Sequence, residues 1–328
     1  MRSITLYLVR DILRSFMITS KSIYQITTIC LTTFWLLGLV TAAAAQSQEE
    51  ETTRRLWDTA FINSGNRRTA NKKPTARRSY RIAIPSIPTI NVAGDTVIGV
   101  TVWRLRPPEP SDRGERILVQ EGAASIDWTP ERVEADTKLT PGTRVRLSVE
   151  AARTGYLYVI DREQYADGAL GEPLLIFPTT RTNGGNNQVK PGRLIEIPTQ
   201  DDEPPFFALK PSRSDQVSEV ISVLVSPTPL EGLKIGANAQ RLSVEQVAAW
   251  EKSWGGTLGR LELENGAGRT WTKEEKQAGA DTTRSLNQDE PAPQTLYYKP
   301  DAKSGQPMMA NVALQYGWRR PAVRSRRR

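Results

Sequence analysis

The chain has 328 residues, of which 24% are charged, and it carries a formal net charge of +8. It contains no histidine, and its one cysteine, Cys30, lies in an apolar run near the N-terminus. These features exclude Ser-His-Asp and Cys-His catalysis and histidine-ligated zinc or haem, so the fold after this run must depend on apolar burial and hydrogen bonding.

Residues 1–45 have the composition of an export segment. Arg2, Arg10, Arg14 and Lys21 precede an apolar run over residues 26–45 that ends in alanines. A basic start, an apolar middle and a small-residue end are typical of a secretory signal peptide. The alternative is an uncleaved N-terminal membrane anchor, since about 20 apolar residues can span a bilayer. Both hypotheses predict an exported protein, periplasmic or extracellular.

Residues 46–91 are polar and basic. Pairs such as Arg54-Arg55 and Lys72-Lys73 are separated by Asn, Thr, Gly and Pro. Because such a segment has little apolar surface to bury, it predicts a flexible basic linker. The alternative is an electrostatic arm that binds a membrane surface of anionic phospholipid or a phosphate-bearing wall polymer.

Residues 92–316 are predicted to form a β domain. Short runs that are apolar, or that alternate between apolar and polar residues, recur there between Gly and Pro turns. They predict strands over residues 97–106, 116–120, 174–177, 193–197, 206–209 and 219–225, a turn over 128–131, and a late pair of strands over 296–298 and 308–316. Strands at this spacing without long helices indicate an all-β fold, an antiparallel β-sandwich of Ig-like or barrel-like form.

Residues 139–160 predict a β-hairpin at the centre of a sheet. In the first arm Val145, Leu147 and Val149 alternate with polar residues, which is typical of a half-buried strand. The second arm, residues 156–160, has no polar face and should be covered on both sides. The connection contains Gly155, as a hairpin of this length requires.

One peripheral helix is predicted over residues 244–254. Ser243 and Gln246 have the spacing of a capping box, and Gly255-Gly256 follows the helix. Val244, Val247 and Ala248 share a face that should lie against the sheet.

Two further segments are polar. Residues 262–293 are predicted to be a long mobile excursion. The tail, residues 317–328, is predicted to be disordered and to bind an anionic partner through Arg319, Arg320, Arg324, Arg326, Arg327 and Arg328.

The order of these runs resembles a bacterial family, the domain of unknown function 4384. The resemblance is carried by residues 142–149, 155–161, 162–168, 175–178, 187–189, 191–192, 195–198 and 206–209. It covers about residues 99–225, with the strand at 308–316 as an extension. It implies a compact, often exported β domain, sometimes attached to kinase-like or caspase-like modules, with no established catalytic residues.

An acidic loop after the predicted hairpin is a candidate metal site. Asp161, Glu163 and Asp167, with Glu172 nearby, offer the carboxylate oxygens that calcium prefers, although their spacing differs from the helix-loop-helix calcium pattern. No other cofactor is predicted. The alternatives are a carboxylate pair for hydrolysis and a solvated loop whose acids pair with nearby arginines.

Aromatic residues at strand positions are candidates for a binding surface that contacts a sugar or a peptide. They are Trp128, Tyr156, Tyr158 and Tyr165. The alternative is that they belong to the hydrophobic core, where strand aromatics commonly lie.

These features predict an exported, non-catalytic interaction module of the cell envelope. It would bind an envelope protein or an anionic envelope polymer, in preference to nucleic acid. One alternative is a carboxylate-based hydrolase that acts on wall polysaccharide. Another is an assembly subunit that adds a strand to a partner, which an unpaired and uncharged edge strand would favour.

Overall fold

The structure, a computed structural model, describes residues 80–84, 97–281, 284–286, 290–299 and 305–317. The predicted signal peptide or anchor, most of the predicted linker and the tail arginines lie outside these residues. Within them, no helix has the length and apolar character needed to cross a membrane.

The described residues form two antiparallel sheets, which confirms the predicted all-β sandwich. The strands are β1 Tyr80–Ile84, β2 Val97–Arg106, β3 Ile117–Glu121, β4 Ala124–Val133, β5 Arg144–Ala151, β6 Gly155–Tyr165, β7 Leu174–Phe177, β8 Gln188–Val189, β9 Leu194–Ile197, β10 Phe207–Ala208, β11 Gln216–Ser226, β12 Gln240–Arg241, β13 Gly259–Leu263, β14 Thr295–Tyr298 and β15 Met308–Gln315. The helices are α1 Val244–Trp250, which continues as a π-helical turn over Glu251–Gly255, and α2 Lys273–Ala280.

The large sheet has nine strands and the small sheet six. The large sheet runs in the order β1-β13-β14-β2-β4-β3, with β5 also on β2 and both β9 and β10 on β5. The small sheet runs β12-β7-β6-β11-β15, with β8 on β6. Apolar side chains from alternate positions of both sheets, such as Val100, Leu147, Val159 and Val223, form the core between them. The alternation of apolar and polar residues in these strands therefore arises because every second side chain faces this core.

The predicted hairpin over residues 139–160 is wrong in its pairing, although both of its strands exist. β5 pairs with β2, β9 and β10 in the large sheet, whereas β6 pairs with β7, β8 and β11 in the small sheet. The short connection between them therefore leads from one sheet to the other. The predicted pairing of residues 296–298 with 308–316 is also wrong, because these two strands lie in different sheets. β14 pairs with β2 and with β13 in the large sheet, whereas β15 pairs with β11 in the small sheet.

β5 is also more buried than a half-buried strand. Its polar face is covered, and Arg146, Ser148 and Glu150 are each at most 3% exposed. Arg146 donates from Nη2 to Glu196 of β9 at 3.0 Å, and its guanidinium lies 5.1 Å from the ring of Trp271. A second layer of chain therefore covers the outer face of the large sheet.

That second layer is the segment predicted to be a mobile excursion. Residues 262–293 contain the end of β13 and the helix α2, whose capping box joins Thr272 and Glu275. Trp271 and Ala278 are each 1% exposed. The excursion prediction is wrong in this part because a few apolar anchors and a capped helix are enough to order the segment.

Two smaller predictions also fail. Residues 128–131 form part of β4 and not a turn. β1 lies within the predicted linker and pairs with β13, so the fold begins earlier than residue 92.

α1 packs on the outer face of the small sheet, as predicted. Ser243 accepts at its Oγ from the N–H of Gln246 at 3.0 Å. Val247 is fully buried, but Val244 is 55% exposed and Ala248 is also exposed, so the predicted apolar face is wrong at both of these positions. Trp250 and Trp254 stack at 5.7 Å and pack on the same cluster instead.

Candidate functional site

The three predicted calcium ligands do not form a shared site. Asp161 and Glu163 lie on β6, opposite Ile221 and Glu219 of β11. Asp167 lies in the exposed turn after β6, where its Oδ1 accepts from the N–H of Ala169 at 2.9 Å. Among the residues that the structure describes, no group of three acidic side chains is placed to hold a metal ion. The nearby Glu172 forms an exposed ion pair with Arg241 at 2.6 Å.

Asp161 is nevertheless unusual electrostatically. Burial, together with the negative charges of Glu219 and Glu163, raises the pKa of Asp161 to about 7. Burial also raises the pKa of Glu219, whose Oε1 accepts from the Tyr316 hydroxyl at 2.9 Å. This arrangement binds a proton more readily than an exposed carboxylate does. It makes the stability of this end of the core depend on pH.

The predicted aromatic surface is wrong as a single surface. Trp128 lies 4.2 Å from the guanidinium of Arg144 on the large sheet. Tyr156 and Tyr158 lie under α1, and Tyr158, 3% exposed, accepts at its hydroxyl from the N–H of Leu230 at 2.9 Å. Tyr165 lies 4.0 Å from the guanidinium of Arg213 at the end of β6. The core alternative is therefore right for Tyr158.

The free edge of β15 is the candidate functional site. The N–H of Tyr316 donates to Val217 on the β11 side, whereas the carbonyl of Gln315 accepts from Leu139 on the opposite side, each at 2.8 Å. Because successive residues of a strand direct their peptide groups to opposite edges, Met309, Asn311 and Ala313 direct theirs away from β11. In the described part of the chain, these peptide groups have no backbone hydrogen-bond partner.

The open part of the edge is short and bounded at both ends. Leu139 covers one end, since it accepts from the N–H of Gly317 and donates to Gln315, both at 2.8 Å. At the other end Gly255 approaches the strand, and a side-chain carbon there would lie 3.9 Å from the carbonyl oxygen of Met309. Five residues of β15, residues 310–314, therefore remain open, a length of about 17 Å.

A cavity of about 350 Å³ lies beside this edge. Met309 and Asn311 of β15, Arg260 of β13 and Tyr297 of β14 line it, together with Glu251, Gly255, Gly256 and Leu258 of the segment that follows α1. The large sheet continues past β14 to β13, whereas the small sheet ends at β15. The cavity therefore lies at the edge of the small sheet, between β15 and the segment that leads from α1 to β13.

Two polar atoms of the cavity lining lack a hydrogen bond of normal geometry. Among the described residues, the Tyr297 hydroxyl and the Nε of Arg260 are buried without such a bond, although the guanidinium of Arg260 is near enough to the hydroxyl to oppose the rise in its pKa, and Nε lies 3.7 Å from Oε1 of Glu262. Tyr297 is 4% exposed, and its burial raises the pKa of its hydroxyl, which stays protonated at neutral pH. Buried polar groups are usually hydrogen-bonded, so this pair is suited to a ligand oxygen.

The sequence analysis did not identify this site. The strand over residues 308–316 was predicted, but its place at an edge depends on distant residues. The signal that could have indicated the edge is the composition of β15, which has no charged residue over its eight positions. Arg260 and Tyr297 carry no local signal of a shared cavity.

Comparisons with known proteins found no matching family model, no similar curated protein and no similar solved structure.

Proposed function

We propose that the chain is an exported, non-catalytic interaction module of the cell envelope, and that it binds a protein partner by accepting a strand at β15. The observation that carries this proposal is the open, uncharged edge of β15 beside a cavity at the end of the small sheet. Strand addition is a common mode of peptide recognition, because the peptide backbone supplies affinity.

The edge can supply a useful but moderate binding energy. Within the borders, Asn311 and Ala313 offer one N–H and one C=O each. Each hydrogen bond contributes about 0.5–1.5 kcal/mol net, so a fully paired strand would gain roughly 2–6 kcal/mol before the entropy of association is subtracted. This range suits a reversible partner.

The composition favours a protein partner over an anionic polymer at this edge. β15 carries no positive charge, so it offers nothing specific to a phosphate-bearing polymer.

A photo-crosslinker at residue 311 of the full chain, expressed in cells, tests the proposal. The change Ala313→Pro removes an outward N–H and leaves the ladder to β11 intact, whereas Ala313→Val keeps that N–H. We expect discrete crosslinked partners that are lost with A313P and retained with A313V. A crosslinker at the exposed Lys252 serves as the control site.

Identical crosslinking patterns from residues 311 and 252, or bands that survive A313P, would refute the proposal. Loss of partners on deletion of residues 318–328, but not with A313P, would instead support binding of an anionic polymer through the tail.

A further inference from the structure

Two polar atoms of the cavity lining, which lack a hydrogen bond of normal geometry, indicate what kind of group could bind there. Any strand added beside β15 has alternate side chains that face the large sheet. The residue opposite Ala310 shares the face of Ala310, which is fully buried in the core between the sheets. Its side chain would therefore point to the side where Tyr297 and Arg260 line the cavity.

We propose that the cavity binds a neutral, oxygen-bearing side chain, such as that of Gln, Asn, Thr or Ser, on an extended peptide segment of a partner protein that pairs with residues 310–314. This inference rests on the function proposed above and adds the chemistry of the incoming segment.

The charges around the cavity favour a neutral side chain. Arg260 is already paired with Asp136, with Nη1 3.1 Å from Oδ1, and its Nε lies 3.7 Å from Glu262. Glu251 is paired with Arg162 and also accepts from the side chain of Asn311 at 3.1 Å. A carboxylate or an ammonium group in the cavity would therefore find no opposite charge that is not already paired. The cost of removing its charge from water would oppose binding.

A neutral oxygen matches the two atoms that lack a hydrogen bond of normal geometry. The Nε–H of Arg260 can only donate, and the Tyr297 hydroxyl can donate or accept. An amide or hydroxyl oxygen placed between them would satisfy both. An apolar side chain would leave both groups buried without hydrogen bonds, which is unfavourable.

The shape of the site favours a single extended segment over a second copy of the chain. Leu139 and the Gly255 region border the open stretch at both ends, so the edge of another folded sheet would meet these borders before it could pair. Five residues of strand also bury much less than the roughly 800 Å² per partner of a standard stable interface. A flexible segment can enter such a slot.

Synthetic heptapeptides provide the test. The host sequence is Lys-Val-Lys-X-Lys-Val-Lys, which has no neutral oxygen-bearing side chain outside X; X is Gln, Asn, Leu, Glu or Lys, and affinity for the full chain is measured by fluorescence anisotropy. Hydrogen exchange over residues 308–316 locates the bound peptide. We expect the Gln and Asn peptides to bind about tenfold tighter than the Leu, Glu and Lys peptides, the effect of one good hydrogen bond.

Two variants separate this inference from the proposed function. Tyr297→Phe removes only the hydroxyl and should reduce the preference for Gln and Asn to less than about twofold, while the Leu peptide binds as before. Ala313→Pro should weaken every peptide, and Ala313→Val should not. Thermal unfolding of each variant checks that the fold is retained.

Each remaining outcome is decisive. If all peptides bind equally well whatever residue stands at X, and A313P weakens all of them, the side-chain inference is overturned but the proposed function still stands. That result would indicate that water alone forms hydrogen bonds with the Tyr297 hydroxyl and the Nε of Arg260. A preference for Glu or Lys would also overturn it. Absence of binding, or binding unaffected by A313P, would overturn both proposals. Binding that appears only after deletion of residues 318–328 would identify the tail as the occupant and overturn both.

Discussion

The buried ion pair between Arg146 and Glu196 should be a major determinant of stability. Both side chains are 2% exposed, and the carboxylate also accepts from Gln200 Nε2 at 2.9 Å. The change Arg146→Met leaves the Glu196 carboxylate buried without its counter-charge. Breaking one side of such a pair destabilises proteins by about 3–5 kcal/mol, and we expect a loss of this size at pH 7.5.

The loss should depend on pH in a defined direction. Burial already raises the pKa of Glu196, and Arg146 opposes that shift. Without Arg146 the folded-state pKa rises further above the unfolded value, so the folded protein binds the proton more readily. The variant therefore loses stability as pH rises through this interval, and its deficit relative to the native chain should be smaller at pH 5 than at pH 7.5.

Urea unfolding followed by tryptophan fluorescence measures these differences. The double change Arg146→Met with Glu196→Met should recover most of the loss, because an apolar pair needs no counter-charge. Arg241→Met is the matched control, since its pair with Glu172 is 68% and 60% exposed and contributes at most about 1 kcal/mol. A loss for R146M no larger than that for R241M, or one that does not change between pH 5 and 7.5, would refute the reasoning.

Three further changes test other parts of the structure by the same unfolding measurement. Burial raises the pKa of Asp161 to about 7, so the contribution of this carboxyl group to stability is full below its unfolded pKa and is lost as pH rises towards 7. Asp161→Asn should flatten this dependence and make the protein more stable at pH 8 by up to about 4 kcal/mol, which corresponds to about three pKa units; an unchanged pH profile would contradict this. Thr272→Ala should cost about 1 kcal/mol by removing the capping box of α2, whereas Lys273→Ala should change stability by less than about 0.5 kcal/mol. Gly259→Ala should cost about 3 kcal/mol, because the new carbon would lie 2.0 Å from the ring of the fully buried Tyr298, whereas Gly236→Ala meets no atom within 4 Å and should be nearly neutral.

The strands were predictable because their signals are local. β2 and β7 have the predicted bounds, since alternation and flanking prolines are properties of a few adjacent residues. The N-cap of α1 was predictable for the same reason. Strand pairing is different, because the same short connection can join two strands that pair as a hairpin or two strands that lie in different sheets. The residues between β5 and β6 carry no signal that distinguishes these two, and the choice depends on partners as distant as β2 and β11.

The order of residues 262–293 could have been recognised in part. Thr272 and Glu275 have the spacing of a capping box, and Trp271 precedes them as an apolar anchor. The polar composition masked this signal, because the helix is held by charged contacts as well as by apolar ones. Arg132 of β4 pairs with the buried Glu275, and a polar residue at such a position resembles a solvated one in sequence.

The candidate site follows from comparing β15 with the other edge strands. Natural proteins protect exposed edges with charged residues or by keeping them short. Among the described strands β8, β10 and β12 have only two residues each, and β1, β3 and β9 contain Arg81, Glu121 and Glu196 respectively. β15 has eight residues and no charge. An uncharged edge of this length can pair with many different strands. The borders at its two ends limit pairing to a short segment. The polar cavity beside the edge would then select among such segments by one of their side chains. Specificity and protection from aggregation would therefore come from the same local geometry.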